Sequence, residues 1–317
     1  MDTWKDGVYR PDDMMFVRHT KGRPLLIGLN TDPWRGEDCN HLDLIFDTKK
    51  QHSFYGCPSV YIPMALLNLL PSSYKPHHLL ETTRTKSRAL ESLKEQDSDN
   101  RKFCVMFCHP CRPHPVSGDG VILWTFLSVL EQEYKACDVI GDCQKAVDIP
   151  TYCGIWEREK YVNASVELYR SYRFVMAFET TQVDGYFTES VALAAIAGAV
   201  PVFWGDEGIG DRINEKRLVN INAHVSEEHV LKLRDAESIS GDERITFAYN
   251  FLHQDFLHAV KHIRSLDEDY AKYQIKLTNS IIKEKSVDMS VLSPKRIAHA
   301  FRNILTDLDS YVTKEEE

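Results

Sequence analysis

Glu179 and Glu189 are the residues whose types and positions best suit chemistry on a bound ligand. Glu179 follows the apolar run RFVMAF, which is typical of a buried strand, and Glu189 follows a turn that contains Gly185. A carboxylate at the end of a strand and another at the start of a helix can both accept hydrogen bonds from ligand hydroxyls, such as those of a ribose. These two residues therefore predict a nucleotide or nucleotide-sugar site.

The alanine-rich segment after Glu189 predicts a short helix, residues 189–197, with Thr188 as its N-cap and Gly198 closing it. The free N–H groups and the positive dipole end of such a helix suit a phosphate or diphosphate. The Ala/Val run alone is more typical of core packing than of a cofactor site, because any domain of alternating strands and helices contains such a unit.

Length and composition limit the classes of protein that the chain can belong to. Its 317 residues suffice for about two domains, and 43% hydrophobic with 27% charged residues is typical of globular α/β proteins. The net charge of -9 argues against a general nucleic-acid partner, because such proteins usually present a basic surface. A negatively charged ligand would need a local basic pocket.

The sequence contains no stretch that predicts membrane insertion or secretion. The first residues have no apolar core, and the longest apolar run, residues 191–203, is shorter than the ~20 residues that cross a bilayer. We therefore expect no transmembrane segment and a cytoplasmic location. The eight scattered cysteines predict free thiols instead of a disulfide framework.

The elements that position the two glutamates form a repeated pattern of strands and helices. Apolar runs at 24–29 and 41–47 predict strands, and residues 63–71 predict a short helix. The polar, charged segment 82–102 predicts a domain boundary. Beyond it come a buried strand starting at Phe103, a helix at about 121–134 and a strand at 137–140, which together indicate a parallel sheet. Residues after about 244 predict helices.

Residues 172–205, YRFVMAFETTQVDGYFTESVALAAIAGAVPVFWG, carry a pattern that is specific in order and spacing. The segment resembles the donor-binding signature of the α1,3/4-fucosyltransferases, with Tyr-Lys-Phe, Phe-Glu-Asn, Tyr-(Val/Ile)-Thr-Glu-Lys and Ala-Gly-x-(Val/Ile)-Pro-(Val/Ile) in that order. A weaker similarity covers residues 23–64. Together the resemblance extends from about residue 23 to residue 222.

The resemblance implies an α/β fold of the GT-B type, in which two Rossmann-like domains face each other across a cleft. We expect the first domain to be shortened here. We expect a reduced acceptor-side domain at 1–98, a nucleotide-sugar-binding domain at 99–285, and a C-terminal helix with an acidic tail at 286–317. Arg23 lies near the start of the chain, so the chain is either a domain of a larger protein or a family member with a reduced first domain.

Several donor-site residues follow from the resemblance. Glu189 matches the acidic residue expected at the donor ribose, Tyr186 matches an aromatic residue lining the donor site, and Glu179 matches the Glu of Phe-Glu-Asn. Thr180 stands where the family has Asn, and Ser190 stands where it has a phosphate-contacting Lys. The diphosphate-binding Arg of the family has no clear counterpart, and its candidate replacements are Arg112, Arg173 and Arg212.

The base is a further departure from the family pattern. In an inverting transfer a carboxylate takes the proton of the acceptor hydroxyl, and the family supplies it from a Thr-Gly-Glu-Asn turn. Here residues 27–30 read Ile-Gly-Leu-Asn, and Leu29 cannot accept a proton. Asp32 is the replacement candidate, with Glu37 and Asp38 behind it. The alternative for Asp32 is a structural role, because Asp before Pro is common in turns.

The function implied by the resemblance is inverting transfer of fucose from GDP-fucose to a hydroxyl of a glycan acceptor. The nucleotide sugar would serve as donor, with no other cofactor and no metal. Two alternatives stay open: the same fold with another nucleotide sugar, such as UDP-xylose, and a non-catalytic glycan- or nucleotide-binding module. Leu29, Thr180 and Ser190 motivate the second alternative. The Asp-x-Asp strings at 97–99 and 267–269 lie in the expected linker and helical tail, away from a metal–diphosphate site.

Overall fold

The structure is a computed structural model of the chain. It describes residues 14–18, 24–30, 44–47, 59–61, 65, 100–108, 120–141, 158–236, 239 and 241–282. The predicted helix at 63–71, apart from residue 65, and the C-terminal segment 286–317 lie outside the described residues. The domain boundaries at 98 and 285 stay predictions.

The first sheet has four short strands in the order β1-β2-β3-β4. They are β1 (Met14–Arg18), β2 (Pro24–Asn30), β3 (Leu44–Asp47) and β4 (Ser59–Tyr61). The pairs β2–β3 and β3–β4 are parallel, whereas β1 runs antiparallel to β2. No sequence pattern predicted β1. The predicted strand at 24–29 is confirmed as β2, and positions 27–30, which align with a turn of the family pattern, are its last part, since Leu29 pairs with Phe46 and Asn30 with Asp47.

The second sheet is wholly parallel, with the order β6-β5-β7-β8-β9. Its strands are β5 (Lys102–Cys108), β6 (Asp138–Gly141), β7 (Tyr172–Phe178), β8 (Val200–Trp204) and β9 (Val219–Asn220). From β5 the chain runs to β6 on one side of β5, and from β6 it crosses to β7 on the other side. This point, where the strand order reverses, is where open parallel sheets bind ligands, at the carboxyl ends of the strands.

Six α-helices of at least seven residues accompany this sheet in the described part of the chain. They are α1 (Gly120–Glu133), α2 (Arg158–Arg170), α3 (Ser190–Ile196), α4 (Glu227–Asp235), α5 (Gly241–Glu268) and α6 (Tyr270–Leu277). The predicted strand–helix–strand pattern after residue 102 and the helical character after residue 244 are thus confirmed where the structure describes them. None of the described helices is long and apolar enough to cross a membrane.

The side chains of β7 show how the sheet divides the core. Val175 and Ala177 pack with the buried residues of α2 and α3 on one face. Phe174 and Met176 point to the other face and pack with α1 and α5. This alternation follows from the two-residue period of a strand. Because both faces are covered, the strand is apolar almost throughout, which is the pattern that predicted it.

The structure corrects the prediction that the cysteines are all free thiols. Cys104 in β5 and Cys137 just before β6 form a disulfide, with a Cα–Cα distance of 4.7 Å. The register explains the pairing, because Val105 lies opposite Asp138 and the preceding residues are therefore neighbours. Neighbouring strands brought these cysteines together, although 33 residues separate them in sequence.

A buried carboxylate joins the end of α5 to the amino edge of the second sheet. Asp267 Oδ2 accepts hydrogen bonds from Tyr134 Oη and Lys135 Nζ, each at 2.7 Å. Arg173 Nη1 lies 2.7 Å from Asp267 Oδ1 and also donates to the Asp267 carbonyl oxygen at 2.8 Å. The side chain of Asp267 is only 3% exposed. It thereby ties α5 to β7 and to the end of α1.

We expect Asp267→Ala to lower the free energy of unfolding by about 1–3 kcal/mol, because it leaves several donors without their acceptor. The measurement is guanidinium unfolding of the full chain. Glu268→Ala is the matched control: among the described residues Glu268 pairs with Arg264 alone, at the surface, and such pairs contribute about 0–1 kcal/mol. Equal losses in the two variants would show that the Asp267 contacts do not stabilise the fold.

Candidate active site

The candidate site lies at the carboxyl ends of β7 and β8, beside the point where the strand order reverses. Glu179 follows β7, and Gly205 and Asp206 follow β8. The backbone N–H of Glu179 donates to the Trp204 carbonyl oxygen at 2.8 Å, which extends the pairing of the two strands. Both acidic side chains are buried, with Glu179 4% exposed and Asp206 fully enclosed.

Glu179 fixes the loop that leads into α3. Its Oε1 accepts hydrogen bonds from the backbone N–H of Thr188 at 2.7 Å and from Thr188 Oγ1 at 3.0 Å. Burial raises the pKa of Glu179 to about 8, against the opposing effect of the Thr188 hydrogen bonds. The nearby charges of Glu189 and Asp206 raise this pKa further. One oxygen of Glu179 therefore accepts hydrogen bonds from the loop, whereas the sequence suggested that the carboxylate would accept hydrogen bonds from a ligand.

These contacts also correct the expected start of the helix. Thr188 is not the N-cap, because its hydroxyl and N–H both donate to Glu179. The helix begins at Ser190, with Glu189 in the capping position and no side-chain capping bond. It ends as predicted, with Gly198 at a positive φ of 75°. The buried alanines of α3 let it pack closely on the sheet.

Gly205 permits the close approach of Glu179 to the end of β8. Its φ is +151°, and a Cβ at this position would lie 2.6 Å from Glu179 Cγ and 2.9 Å from Glu179 Cβ. Contacts this short do not occur between real Cβ atoms and their neighbours. The residue after β8 must therefore be glycine if Glu179 is to keep its place.

A second buried carboxylate holds the same loop from the other side. Asp206 accepts from the backbone N–H groups of Gly185 and Gly208, the latter at 2.9 Å. Arg212 Nη1 donates to Asp206 Oδ2 at 2.6 Å, and Arg212 Nη2 donates to Asp184 Oδ1 at 3.1 Å. Burial raises the pKa of Asp206 although Arg212 opposes that effect. The guanidinium of Arg212 is thus engaged by the loop itself.

Residues of the amino-terminal part of the chain contact this loop, which we call the 183–189 loop. Tyr61 Oη donates to the Gly185 carbonyl oxygen at 2.7 Å, and the Ala65 N–H donates to the Phe187 carbonyl oxygen at 3.1 Å. The Arg212 guanidinium lies 5.7 Å from the centre of the Tyr61 ring. Burial raises the pKa of Tyr61, so its hydroxyl keeps the proton that it donates.

The structure brings most of the predicted donor-site residues to this one edge. Thr180 is exposed, Ser190 and Glu189 are partly exposed, and Tyr186 is buried with 7% exposure. The hydroxyl of Tyr161 on α2 forms a hydrogen bond with the Glu189 side chain, which fixes that carboxylate. Of these residues, Thr180, Glu189 and Ser190 are the ones that a ligand could reach.

Arg173 is not brought to this edge, which corrects its prediction as a diphosphate contact. It is the second residue of β7, so the length of the strand, about 3.3 Å per residue, separates it from Glu179. Its guanidinium pairs with Asp267 at the opposite edge. Arg112 and Asp32 lie outside the described residues, so their roles stay predictions.

Sequence reasoning missed the group formed by Tyr61, Asp184 and Asp206 around Arg212. A Gly-Asp pair directly after a buried strand was the available signal for Asp206, but the sequence does not reveal its partners. Among the described residues, no three His, Cys, Asp or Glu side chains lie close enough to hold a metal ion. The Asp267–Asp269 string lies at the other edge of the sheet, where Asp267 is paired and Asp269 caps α6.

Comparison with known proteins finds similarity to one family in this part of the chain. Residues 119–235 match the model for the C-terminal domain of glycosyltransferase family 10, the fucosyltransferases. Over these residues the chain is similar to the fucosyltransferases of that family. The match covers β7, the 183–189 loop, α3 and β8, so the resemblance stated on residues 172–205 is confirmed.

Two curated fucosyltransferase relatives support this assignment. A fucosyltransferase-like protein of Acanthamoeba polyphaga mimivirus is 29% identical over 228 residues, 71% of this chain and 31% of the viral protein. The alpha-(1,3)-fucosyltransferase FucT of Helicobacter pylori is 34% identical over 56 residues, 18% of this chain and 12% of the bacterial protein. The chain therefore spans at most about a third of the length of these relatives.

Solved structures confirm the predicted α/β fold of the GT-B type. A crystal structure of an alpha1,3-fucosyltransferase superposes with a TM-score of 0.55 at 15% identity, covering 88% of this chain and 72% of that one. A second structure, of alpha1,3-fucosyltransferase with GDP-fucose, gives a TM-score of 0.53 at 17% identity and covers 88% of this chain and 74% of that one.

The raised pKa of Glu179 predicts that the free energy of unfolding depends on pH. A single substitution of Glu179 should remove its part of this dependence. Between the ordinary pKa of 4.5 and the folded-state value of about 8, only the unfolded chain carries the charge, so stability should fall as pH rises through this window. Glu179→Gln keeps an oxygen for Thr188 but has no charge to bury. We expect unfolding experiments at pH 5 and pH 8 to show a smaller loss for the variant than for the unmodified chain.

The control for this experiment is Glu207→Gln, which removes an exposed carboxylate and should leave the pH dependence unchanged. A Glu179→Gln chain that loses as much stability between the two pH values as the unmodified chain would contradict the assignment of a raised pKa to Glu179.

Gly205→Ala should destabilise the fold by about 1–3 kcal/mol, because its methyl group overlaps Glu179 and overpacking in a core has costs of this size. Gly208→Ala is the control. A Cβ at this position would lie 3.3 Å from its nearest neighbour, an Asp206 oxygen, and the φ of Gly208 is not positive. Thermal unfolding of both variants gives the comparison. A neutral Gly205→Ala would mean that Glu179 can move without loss.

Proposed function

We propose that the chain transfers fucose from GDP-fucose to a hydroxyl of a glycan acceptor, with inversion at the anomeric carbon. The observation that carries the proposal is the position of Glu189 and Ser190. The hydrogen bonds of Thr188 to Glu179 hold both residues at the carboxyl edge of β7, beside the reversal of strand order. Support comes from the fucosyltransferase-family match over this loop and from the shared fold with a fucosyltransferase solved with GDP-fucose.

The residues of the proposed site have separate roles in binding the donor. Glu189, held by Tyr161, accepts hydrogen bonds from the ribose hydroxyls of the donor. Thr180 precedes the 183–189 loop and is exposed, and Ser190 follows it and is partly exposed, so both hydroxyls can donate to the diphosphate. Negative charge develops on the diphosphate as it leaves, so fixed donors there lower the barrier. Because Arg212 is engaged by Asp206 and Asp184, we assign the cationic contact to Arg112.

Asp32 is the proposed base. Its carboxylate takes the proton of the acceptor hydroxyl while that oxygen attacks the anomeric carbon of fucose. The bond between this carbon and the diphosphate oxygen breaks on the opposite face, and GDP leaves with the electron pair. In this scheme charge is handled by side chains and backbone groups, and we propose that no metal ion takes part.

The donor is tested first, with a panel of GDP, GDP-fucose, GDP-mannose, UDP-xylose and UDP-galactose in thermal-shift measurements on the full chain. We expect GDP and GDP-fucose to raise the melting temperature, since a ligand at 100 times its Kd stabilises the folded state by about 2.7 kcal/mol. EDTA should leave the shift unchanged. Selective stabilisation by a UDP-sugar would keep the fold and replace the donor, and no response to any nucleotide would support a non-catalytic module.

Glu189→Gln should weaken GDP-fucose binding about tenfold or more, the loss expected when a hydrogen bond to a charged acceptor becomes a neutral one. Glu207→Gln is the matched control, because it removes an exposed carboxylate outside the 183–189 loop. Isothermal titration gives both affinities. Equal affinities in the two variants would remove Glu189 from the donor site.

Asp32→Asn should lower transfer of labelled fucose about 100-fold or more while GDP-fucose still binds, because loss of a general base has an effect of about 10²–10⁴ on the rate. Asp38→Asn, in the same part of the chain, serves as the control and should keep most activity. Loss of transfer in Asp38→Asn alone would move the base to that residue.

A further inference from the structure

Arg212 lies where three separate segments of the chain meet. It directly follows a short 3-10 helix, Glu207–Asp211, that comes after β8. Its guanidinium nitrogens lie 2.6 Å from Asp206 Oδ2 and 3.1 Å from Asp184 Oδ1 in the 183–189 loop. The guanidinium carbon lies 5.7 Å from the centre of the Tyr61 ring, at the end of β4. Arg212 therefore joins the 183–189 loop to the end of β8 and to the first sheet.

The same contacts leave the Arg212 guanidinium little capacity to bind a diphosphate. Nη1 donates to Asp206 Oδ2 and to the Gly208 carbonyl oxygen, and Nη2 donates to Asp184 Oδ1. The side chain of Arg212 is only 10% exposed. A phosphate that approached it would also meet the two carboxylates, whose negative charge repels a phosphate. Any effect of Arg212 on a bound donor must therefore pass through the residues that it holds.

Arg212 holds the start of the 183–189 loop through two carboxylates. Asp184 belongs to the loop and pairs directly with Arg212. The next residue, Gly185, donates its N–H to Asp206, and Arg212 balances the charge of this buried carboxylate. At the other end of the loop, Thr188 is held by its two hydrogen bonds to the buried carboxylate that follows β7. The loop is thus fixed at both ends by separate groups.

We propose that Arg212 is a positioning residue of the donor site, which acts on Glu189 through the start of the loop. The inference rests on the proposed function, from which it takes the contact of Glu189 with the donor ribose. Without the guanidinium, the carboxylate of Asp206 stays buried near that of Asp184 with no counter-charge among the described residues. Uncompensated buried charges are costly, so the loop start and the end of β8 rearrange. In so short a loop this rearrangement displaces Glu189 from the ribose hydroxyls.

Arg173 offers a matched control at the opposite edge of the same sheet. Its guanidinium also pairs with a buried carboxylate, that of Asp267, at 2.7 Å, and its side chain is 17% exposed. Lysine keeps the positive charge but lacks the planar fork with which a guanidinium contacts two acceptors at once. Arg173→Lys and Arg212→Lys therefore remove the same chemical group from similar surroundings, and only Arg212 contacts the loop in the described structure.

The experiment compares these two variants with the unmodified full chain by two measurements. The first is amide hydrogen exchange in peptides that cover residues 183–189. The second is calorimetric titration with GDP and with 2′,3′-dideoxy-GDP, which lacks the ribose hydroxyls assigned to Glu189. The ratio of the two nucleotide affinities reports the ribose contact. A merely structural role of Arg212 would lower stability without changing this ratio.

We expect the unmodified chain to bind GDP at least about tenfold more tightly than the dideoxy nucleotide, because the hydroxyls bond to a charged acceptor. Arg212→Lys should bring the two affinities together and speed exchange in the loop, since a misplacement of about 1 Å is enough to lose such a contact. Arg173→Lys should lower stability but leave the affinity ratio and the loop exchange unchanged.

Asp184→Asn tests the same link if Arg212→Lys fails to fold. The side chain of Asp184 is 42% exposed, and the pairing of Arg212 with Asp206 remains in this variant, so the buried charge stays balanced. Loss of the charged contact at the loop start should again reduce the preference for GDP over the dideoxy nucleotide and speed exchange in the loop.

The inference is wrong if Arg212→Lys keeps both the affinity ratio and the loop exchange of the unmodified chain. Equal losses of affinity for both nucleotides, with unchanged loop exchange, would also overturn it and make Arg212 a direct diphosphate contact. The same changes in Arg173→Lys would overturn it too, because they would show a general loss of stability. Failure of the unmodified chain to bind either nucleotide would contradict the proposed function, whereas the loop exchange of the two variants would still show whether Arg212 holds the loop.

Discussion

The structure around the candidate site depends on burying two carboxylates, Glu179 and Asp206, behind one short loop. Each carboxylate follows the end of a central strand, and each accepts a backbone N–H from the 183–189 loop. Because buried carboxyl groups that lack partners are costly, the loop and the strand ends stabilise each other. Burial keeps the pKa of Glu179 at about 8, so its neutral form is favoured at neutral pH, whereas Asp206 has Arg212 as a counter-charge.

This arrangement explains why the loop presents some of its residues to solvent and buries others. Thr188 is turned inward by its two bonds to Glu179, which leaves Glu189 and Ser190 at the entry to α3. Tyr61 and Ala65, in the amino-terminal part of the chain, donate hydrogen bonds to carbonyl oxygens of the loop. These two hydrogen bonds link residues of the amino-terminal part of the chain to the loop that leads to the proposed donor residues.

The residues after β8 connect the candidate site to the segment after β9. Gly205 gives Glu179 its space on one side, and on the other side its N–H donates to Asn222 Oδ1 at 3.3 Å. Asn222 also donates to the Asp206 carbonyl oxygen and accepts from Gln182 Nε2. The residues after β8 thus contact both the 183–189 loop and Asn222, which follows β9.

The sequence by itself determined the parallel sheet, its covering helices and the site at the end of β7, because these depend on local apolar periodicity and on a motif that is continuous in the chain. It also identified Glu179, Glu189 and Ser190 as neighbours. Only the tertiary structure decided the partners of Thr188, the disulfide of Cys104 and Cys137, and the placement of Arg173 at the opposite edge. The group of Tyr61, Asp184, Asp206 and Arg212 was equally hidden, since its members come from distant segments and meet only when strand register and packing bring them together.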